Sequence, residues 1–85
     1  MRVSTFRTEH GAEVDFILER GADLYAIEVK ASCTVAASNL RGLDRFADYV
    51  GRAHRRMVWY LGTVRKRMAE VDILPWQQGL KAIGW

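Results

Sequence analysis

The 85 residues carry a formal net charge of +3, a 49% apolar fraction and a single cysteine. These values predict one small domain with its own core, and they exclude a disordered tail, an internal disulfide and a cysteine-built zinc site. No apolar run approaches the ~20 residues that cross a bilayer, so we expect a cytoplasmic protein with no membrane segment.

The first third of the chain predicts three strands. Residues 3–8 are typical of a first strand. Two runs of alternating apolar and polar residues follow at 13–18 and 24–30. The pair Gly21 and Ala22 between these runs suits the centre of a hairpin turn. We therefore expect the second and third strands to pair antiparallel.

The register of that hairpin brings charged side chains together. With the turn centred on Gly21 and Ala22, Asp15 faces Glu28 and Glu13 faces Lys30. Opposed like charges on a sheet are unfavourable, so the Asp15–Glu28 pair predicts a cation, either Lys30 or a bound Mg²⁺ or Mn²⁺. An ordinary hairpin whose polar face meets water is an equal alternative. Side chains alternate across a sheet, so the expected apolar face comprises Val14, Phe16, Leu18, Tyr25, Ile27 and Val29.

A helix and a buried strand are predicted next. Apolar residues recur at helical spacing across 40–50, and Gly51 suits the end of that helix. Gly42 within the helix predicts a close approach to the sheet. The run 57–61 lacks alternation, which is typical of a strand covered on both faces. The order strand, helix, strand predicts that 57–61 lies parallel to 24–30.

The last quarter of the chain predicts a basic turn, a short strand at 71–74 and a terminal helix that begins at Pro75. Basic residues cluster on both sides of the run 57–61. The candidates for phosphate contacts are Arg55, Arg56, Arg65, Lys66 and Arg67. Solvated residues that keep a small domain dissolved would show the same pattern.

An Asp on one strand followed by Glu-x-Lys on the next resembles the core of the PD-(D/E)XK nuclease superfamily. A longer resemblance covers nearly the whole chain. It is carried by Phe6-Arg7-Thr8, Gly11-Ala12-Glu13-Val14-Asp15-Phe16, Ala26-Ile27-Glu28-Val29-Lys30-Ala31-Ser32, Leu40-Arg41-Gly42-Leu43 and Leu74-Pro75-Trp76. These strings are similar to a nuclease-like domain that lies C-terminal to an AAA-type ATP-binding module in bacterial and archaeal proteins.

The resemblance implies a fold and a parent protein. Residues 1–85 would form a single nuclease-like domain, the C-terminal part of a longer ATPase protein. The fold would be α/β and restriction-endonuclease-like, with a mixed sheet, a βββαβ core, a short extra strand and a terminal helix. The superfamily usually has a further acidic residue on a helix before the first strand, and that helix is missing here. One sheet face would then be poorly covered, so we expect a homodimer or docking on the ATPase module.

The resemblance also implies a chemistry, the metal-dependent hydrolysis of nucleic-acid phosphodiesters. Asp15 and Glu28 would hold Mg²⁺ or Mn²⁺, with the backbone carbonyl of Val29 as a further ligand and Glu13 as a weaker one. Lys30 would position the attacking water or stabilise the transition-state oxyanion. The alternative is a non-catalytic module that uses the same fold for nucleic-acid binding, dimerisation or docking to the ATPase.

Overall fold

A six-stranded mixed sheet organises the chain, and the computed structural model describes all of residues 1–85. Two helices pack on this sheet, so the domain is a small α/β structure. The strands are β1 (Arg2–Arg7), β2 (Glu13–Arg20), β3 (Asp23–Lys30), β4 (Arg55–Tyr60), β5 (Lys66–Met68) and β6 (Val71–Pro75). The helices are α1 (Arg41–Val50), which follows a 3₁₀ turn at Ala37–Leu40, and α2 (Trp76–Ala82). The order across the sheet is β1-β2-β3-β4-β6-β5.

The central strands confirm the predicted crossover. β4 lies parallel to β3 and to β6, whereas the β1–β2, β2–β3 and β5–β6 pairs are antiparallel. The last four residues of β4 are buried, which explains why their sequence shows no alternation. α1 ends at Gly51, whose φ of 59° is left-handed and whose N–H donates to the Ala47 carbonyl at 3.3 Å. The parallel pairing of β4 with β3 and the end of α1 at Gly51 were both predicted from local patterns of the sequence.

Core residues divide between the two faces of the sheet. The larger cluster lies on the α1 face and comprises Val14, Ile17, Leu24, Ala26, Leu40, Leu43, Phe46, Val58, Tyr60, Val71 and Ile73. The smaller cluster lies on the α2 face and comprises Leu18, Ile27, Met57, Trp59, Leu74 and Ile83. α2 packs mainly on β4 and β6, which leaves parts of β1 and β2 open on this face. Val3 and Phe16 remain 55% and 44% exposed there.

A β-bulge in β2 corrects the predicted hairpin face. Ser4 pairs with Ile17 and Phe6 pairs with Val14, so β2 has one more residue than β1 between these two pairs. The extra residue reverses the alternation, and Val14 and Ile17 therefore share the α1 face while Leu18 lies on the α2 face. The prediction that Val14 and Leu18 share one apolar face is wrong.

The segment predicted as a basic turn contains a strand. β5 pairs with β6 through a tight turn at Ala69 and Glu70, whose φ angles of 50° and 65° are both positive. Positive φ at both central positions is the geometry of a two-residue hairpin turn, which usually has Asn or Gly there. Neither Asn nor Gly is present at these two positions, so the sequence contains no local pattern that predicts this hairpin.

Candidate functional site

Asp15 lies in the bulge of β2, where its side chain replaces a backbone hydrogen-bond acceptor. Its Oδ2 accepts a hydrogen bond from the Val29 N–H of β3 at 2.8 Å. The regular β2–β3 ladder reaches Phe16 and Ile27 and stops before Asp15. The predicted direct pairing with Glu28 is thus replaced by a contact from side chain to backbone. That contact still places the Asp15 carboxyl group beside Glu28, whose pKa it perturbs.

The carboxyl group of Glu28 is strongly perturbed. Its pKa is raised from the ordinary 4.5 to about 8. Burial is the largest cause because it disfavours the charged form, and a side-chain hydrogen bond with Asp15 and repulsion from the Asp15 charge add to it. Hydrogen bonding to the Asp15 backbone opposes the shift, and Glu13 adds a smaller repulsion. Glu28 therefore holds a proton at neutral pH, beside the carboxyl group of Asp15.

No basic side chain neutralises this pair. Lys30 is half-buried on the same face of β3 as Glu28, but it makes no ion pair. The predicted pairing of Glu13 with Lys30 is wrong. Glu13 lies opposite Arg7 of β1, and their side chains form an ion pair at 3.4 Å. The acidic pair of Asp15 and Glu28 is therefore left without a countercharge.

An open pocket of about 270 Å³ adjoins the pair. Its walls are the loop before β2, the end of β3 and the start of α1. The lining residues are Gly11, Ala12, Glu13, Glu28, Val29, Lys30, Ser38, Asn39, Arg41 and Gly42. Gly42 brings the helix onto the strand, since a Cβ at this position would lie 1.9 Å from the Glu13 carbonyl oxygen. The predicted close approach of Gly42 to the sheet is confirmed, and it defines one wall of the pocket.

Arg41 is a candidate that our sequence reasoning missed. It is exposed at the start of α1, lines the same pocket as Lys30 and forms no ion pair. Its position beside Gly42 was the available signal, because Gly42 already predicted that this turn of the helix meets the sheet. Arg41 can therefore supply a second positive charge beside the acidic pair.

The donor set suits a hard cation. No group of three or more His, Cys, Asp or Glu side chains is placed to hold a metal. Two carboxyl groups and the main chain of Val29 remain, because Glu13 is engaged by Arg7. Mg²⁺ is commonly bound by one or two carboxylates and retains several waters, whereas a structural zinc site needs four nitrogen or sulfur ligands. The residues present therefore fit Mg²⁺ or Mn²⁺ and do not fit zinc.

Two of the basic residues proposed for phosphate contacts are engaged by another side chain, away from this pair. Arg55 and Arg67 both bind Asp72, at 3.2 and 2.7 Å. Arg55 is in register with Tyr25, three residues before Glu28 on the neighbouring strand, which separates the two levels by about 10 Å. The other members of the set are Arg56, Arg65 and Lys66. The Lys66 ammonium lies 5.8 Å from the centre of the Tyr60 ring. Lys66 belongs to β5, which is the third strand away from β3 across the sheet.

The fold and the site define a small mixed α/β domain with two neighbouring carboxyl groups and a nearby lysine. Residues 1–79 match the model of the family described as Domain of unknown function (DUF4143), and the chain belongs to this family. No curated protein and no solved structure gives a significant match. None of the helices is long and apolar enough to cross a membrane.

Proposed function

We propose that this domain is a metal-dependent nuclease of the PD-(D/E)XK type, which hydrolyses nucleic-acid phosphodiesters with Mg²⁺ or Mn²⁺. The observation that carries the proposal is the acidic pair of Asp15 and Glu28. These carboxyl groups lie together without a countercharge, and Lys30 follows on the same face of β3. A structural ion pair would contain its own cation, so this arrangement favours a bound cation over a purely structural role.

The order of elements supports the same proposal. Three antiparallel strands, a helix and a strand parallel to the third follow one another from β1 to β4. This is the βββαβ order expected for a restriction-endonuclease-like core. As part of the same proposal, the domain follows an AAA-type ATPase module in a longer cytoplasmic protein.

Each residue of the site has a distinct role in the proposed reaction. The metal ion would lower the pKa of a water and neutralise charge on the attacked phosphate. Asp15 and Glu28 would hold the ion, and Glu28 would give up its proton there because a nearby positive charge favours the carboxylate. Lys30 lies about 6.6 Å further along the strand, where its ammonium group donates a hydrogen bond to the phosphate or to the attacking water. Arg41 faces the phosphate from α1.

Metal binding tests the first half of the proposal. Mn²⁺ titrated calorimetrically into the chain should bind the wild type and bind much more weakly to Asp15→Asn and Glu28→Gln, since each change removes a ligand and a charge. Glu70→Gln is the matched control, because Glu70 is an exposed carboxyl in the β5–β6 turn. An affinity that is the same in all four proteins would exclude the site.

Cleavage tests the second half. The full-length parent should cleave DNA or RNA with Mn²⁺, and Lys30→Ala should abolish cleavage while metal binding persists, because Lys30 serves the transition state. Equal cleavage by the wild type and Lys30→Ala would contradict the assigned role. No cleavage by either folded protein would favour the second candidate function.

That second candidate is a non-catalytic module for dimerisation or for docking on the ATPase. The observation that favours it is a wholly apolar groove on the α2 face. The groove is lined by Met1, Val3, Phe16, Leu18, Ile27, Trp59, Leu80, Ile83 and Trp85. Trp85 is 80% exposed at one end of it. Contiguous apolar surface of this kind marks interaction sites, and a homodimer is the assembly we propose for it.

A further inference from the structure

A larger cleft lies between α1 and the edge strand β1, on the same sheet face as the acidic pair. We call it the β1–α1 cleft. Its volume is about 820 Å³, and its charged lining residues are Arg2, Arg7, Glu19, Arg45, Asp48 and Arg52. The lining therefore contains four arginines and two acidic residues. None of these arginines belongs to the basic set proposed from the sequence.

Three of the four arginines are free to bind a ligand. Arg2, Arg45 and Arg52 are exposed and form no ion pair. Arg52 donates one hydrogen bond, to the Ala22 carbonyl at 3.0 Å, which holds its guanidinium at the end of the cleft. Such fork-shaped donors bind phosphate oxygens through paired hydrogen bonds. The cleft is thus lined by one guanidinium that a hydrogen bond holds in place, that of Arg52, and by two others, those of Arg2 and Arg45, that form no ion pair.

An aromatic side chain stands within the same cleft. Tyr49 of α1 is 77% exposed. Its ring centre lies 5.5 Å from that of Phe6 and 6.5 Å from that of Phe46, and those two phenylalanines pack edge to face at 5.2 Å. Single exposed aromatics are ordinary on protein surfaces. Tyr49 packs on two phenylalanine rings and shares its cleft with four arginines. An exposed aromatic ring together with positive charge is the combination that binds single-stranded nucleic acid.

The cleft adjoins the acidic pair. Arg7 and Thr8 line the β1–α1 cleft, and the residues after the next turn, Gly11 to Glu13, line the pocket beside Glu28. Arg7 itself bridges the two through its ion pair with Glu13 at 3.4 Å. A nucleic-acid strand bound in the cleft would therefore lead toward the carboxyl groups of Asp15 and Glu28.

We propose that the β1–α1 cleft binds a segment of single-stranded nucleic acid, with one base stacked on Tyr49 and its phosphates held by Arg2, Arg45 and Arg52. The inference deepens the proposed function, because it names the substrate of that site. Binding itself needs neither the metal nor cleavage. An extended peptide added to the free edge of β1 is the competing occupant, but the arginines and the open ring match phosphates and bases.

The test is the fluorescence anisotropy of a labelled single-stranded oligothymidylate of about 12 nucleotides, measured with the 85-residue chain in metal-free buffer. Tyr49→Ala should weaken binding about tenfold, and Tyr49→Trp should retain it, because stacking needs an aromatic face. Arg45→Ala and Arg52→Ala should each weaken binding and lower the salt slope by about 0.7, the value for one lost phosphate contact on a single strand. Circular dichroism should show these exposed variants folded.

Lys81→Ala is the matched control. Lys81 is an exposed basic residue in the last turn of α2, on the sheet face opposite to the cleft, and its loss should leave binding unchanged. An equal loss in Lys81→Ala and Arg45→Ala, or an unchanged affinity in Tyr49→Ala, would overturn the assignment. Displacement of the oligothymidylate by an equal concentration of oligoglutamate would also overturn it, in favour of an acidic peptide.

Two further results separate this inference from the proposed function. Binding that depends on Tyr49 without any Lys30-dependent cleavage by the parent would reject the nuclease and keep the cleft. Cleavage that depends on Lys30 but is insensitive to Tyr49 and Arg45 would reject the cleft and keep the nuclease.

Discussion

Replacing Glu28 with glutamine should stabilise the domain at alkaline pH. Between pH 4.5 and about 8 the folded protein holds a proton on Glu28 that the unfolded chain has released. The free energy of unfolding therefore falls as the pH rises through that window, and the stability that the protonated group contributes is fully present only below 4.5. Glutamine keeps the hydrogen-bonding shape of the protonated acid and does not titrate, so Glu28→Gln should lack this fall.

The size of the effect follows from the pKa. One pKa unit corresponds to about 1.36 kcal/mol, so the full change from 4.5 to about 8 would correspond to roughly 5 kcal/mol. Glu28 is only partly buried and opens onto a pocket, so water and salt screen its interactions. With half of the effect retained, Glu28→Gln should exceed the wild type by about 2 kcal/mol above pH 8 and match it below pH 4.5.

Urea denaturation followed by tryptophan fluorescence measures this difference across the pH range. Glu70→Gln, which removes an exposed carboxyl in the β5–β6 turn, is the matched control for the loss of one acidic side chain. A constant offset between Glu28→Gln and the wild type over the whole range would refute the assigned linkage. It would mean that Glu28 titrates alike in the folded and unfolded states.

Three other changes test the structure. Gly42→Ala should lower the free energy of unfolding by about 2 kcal/mol or more in urea melts, because the Cβ of the alanine would lie 1.9 Å from the Glu13 carbonyl oxygen. Unchanged stability would contradict the close packing of α1 on β2. Asp72→Asn should cost about 1 kcal/mol, measured in the same way, since it weakens ion pairs of 3.2 and 2.7 Å to two arginines, and high salt should reduce that difference. Phe16→Asp should shift the proposed dimer toward monomer in sedimentation at high micromolar concentration, because it places a charge in the apolar groove of the α2 face. A wild type that is already monomeric at that concentration would reject the dimer.

Features set by neighbouring residues could be predicted from the sequence. The helical spacing of apolar residues and the glycine at position 51 define α1, and both act within a few turns of the chain. The unbroken apolar run of β4 and the preceding helix predicted the parallel pairing with β3. The register of β2 against β3 from Arg20 to Ile17 also followed, because the hairpin turn fixes it.

Features set by a third element could not be predicted. The bulge at Asp15 depends on the pairing of β2 with β1, which a reading of the β2–β3 hairpin alone does not contain. The β5–β6 hairpin turns at Ala69 and Glu70, where positive φ is imposed by the flanking strands and not by a glycine. The arginines around Tyr49 come from three separate segments, so only the docking of α1 beside β1 brings them together.

The hydrogen bond from the Val29 N–H to Asp15 gives the domain an internal spectroscopic reporter. This amide has a side-chain carboxylate as its partner at 2.8 Å, where a regular strand would offer a carbonyl group. Its NMR resonance should therefore shift whenever the Asp15 carboxylate is drawn toward a cation. Its exchange with solvent should accelerate when that carboxylate turns away. Occupancy of the acidic pair can thus be followed at a single backbone resonance, without a substrate and without turnover.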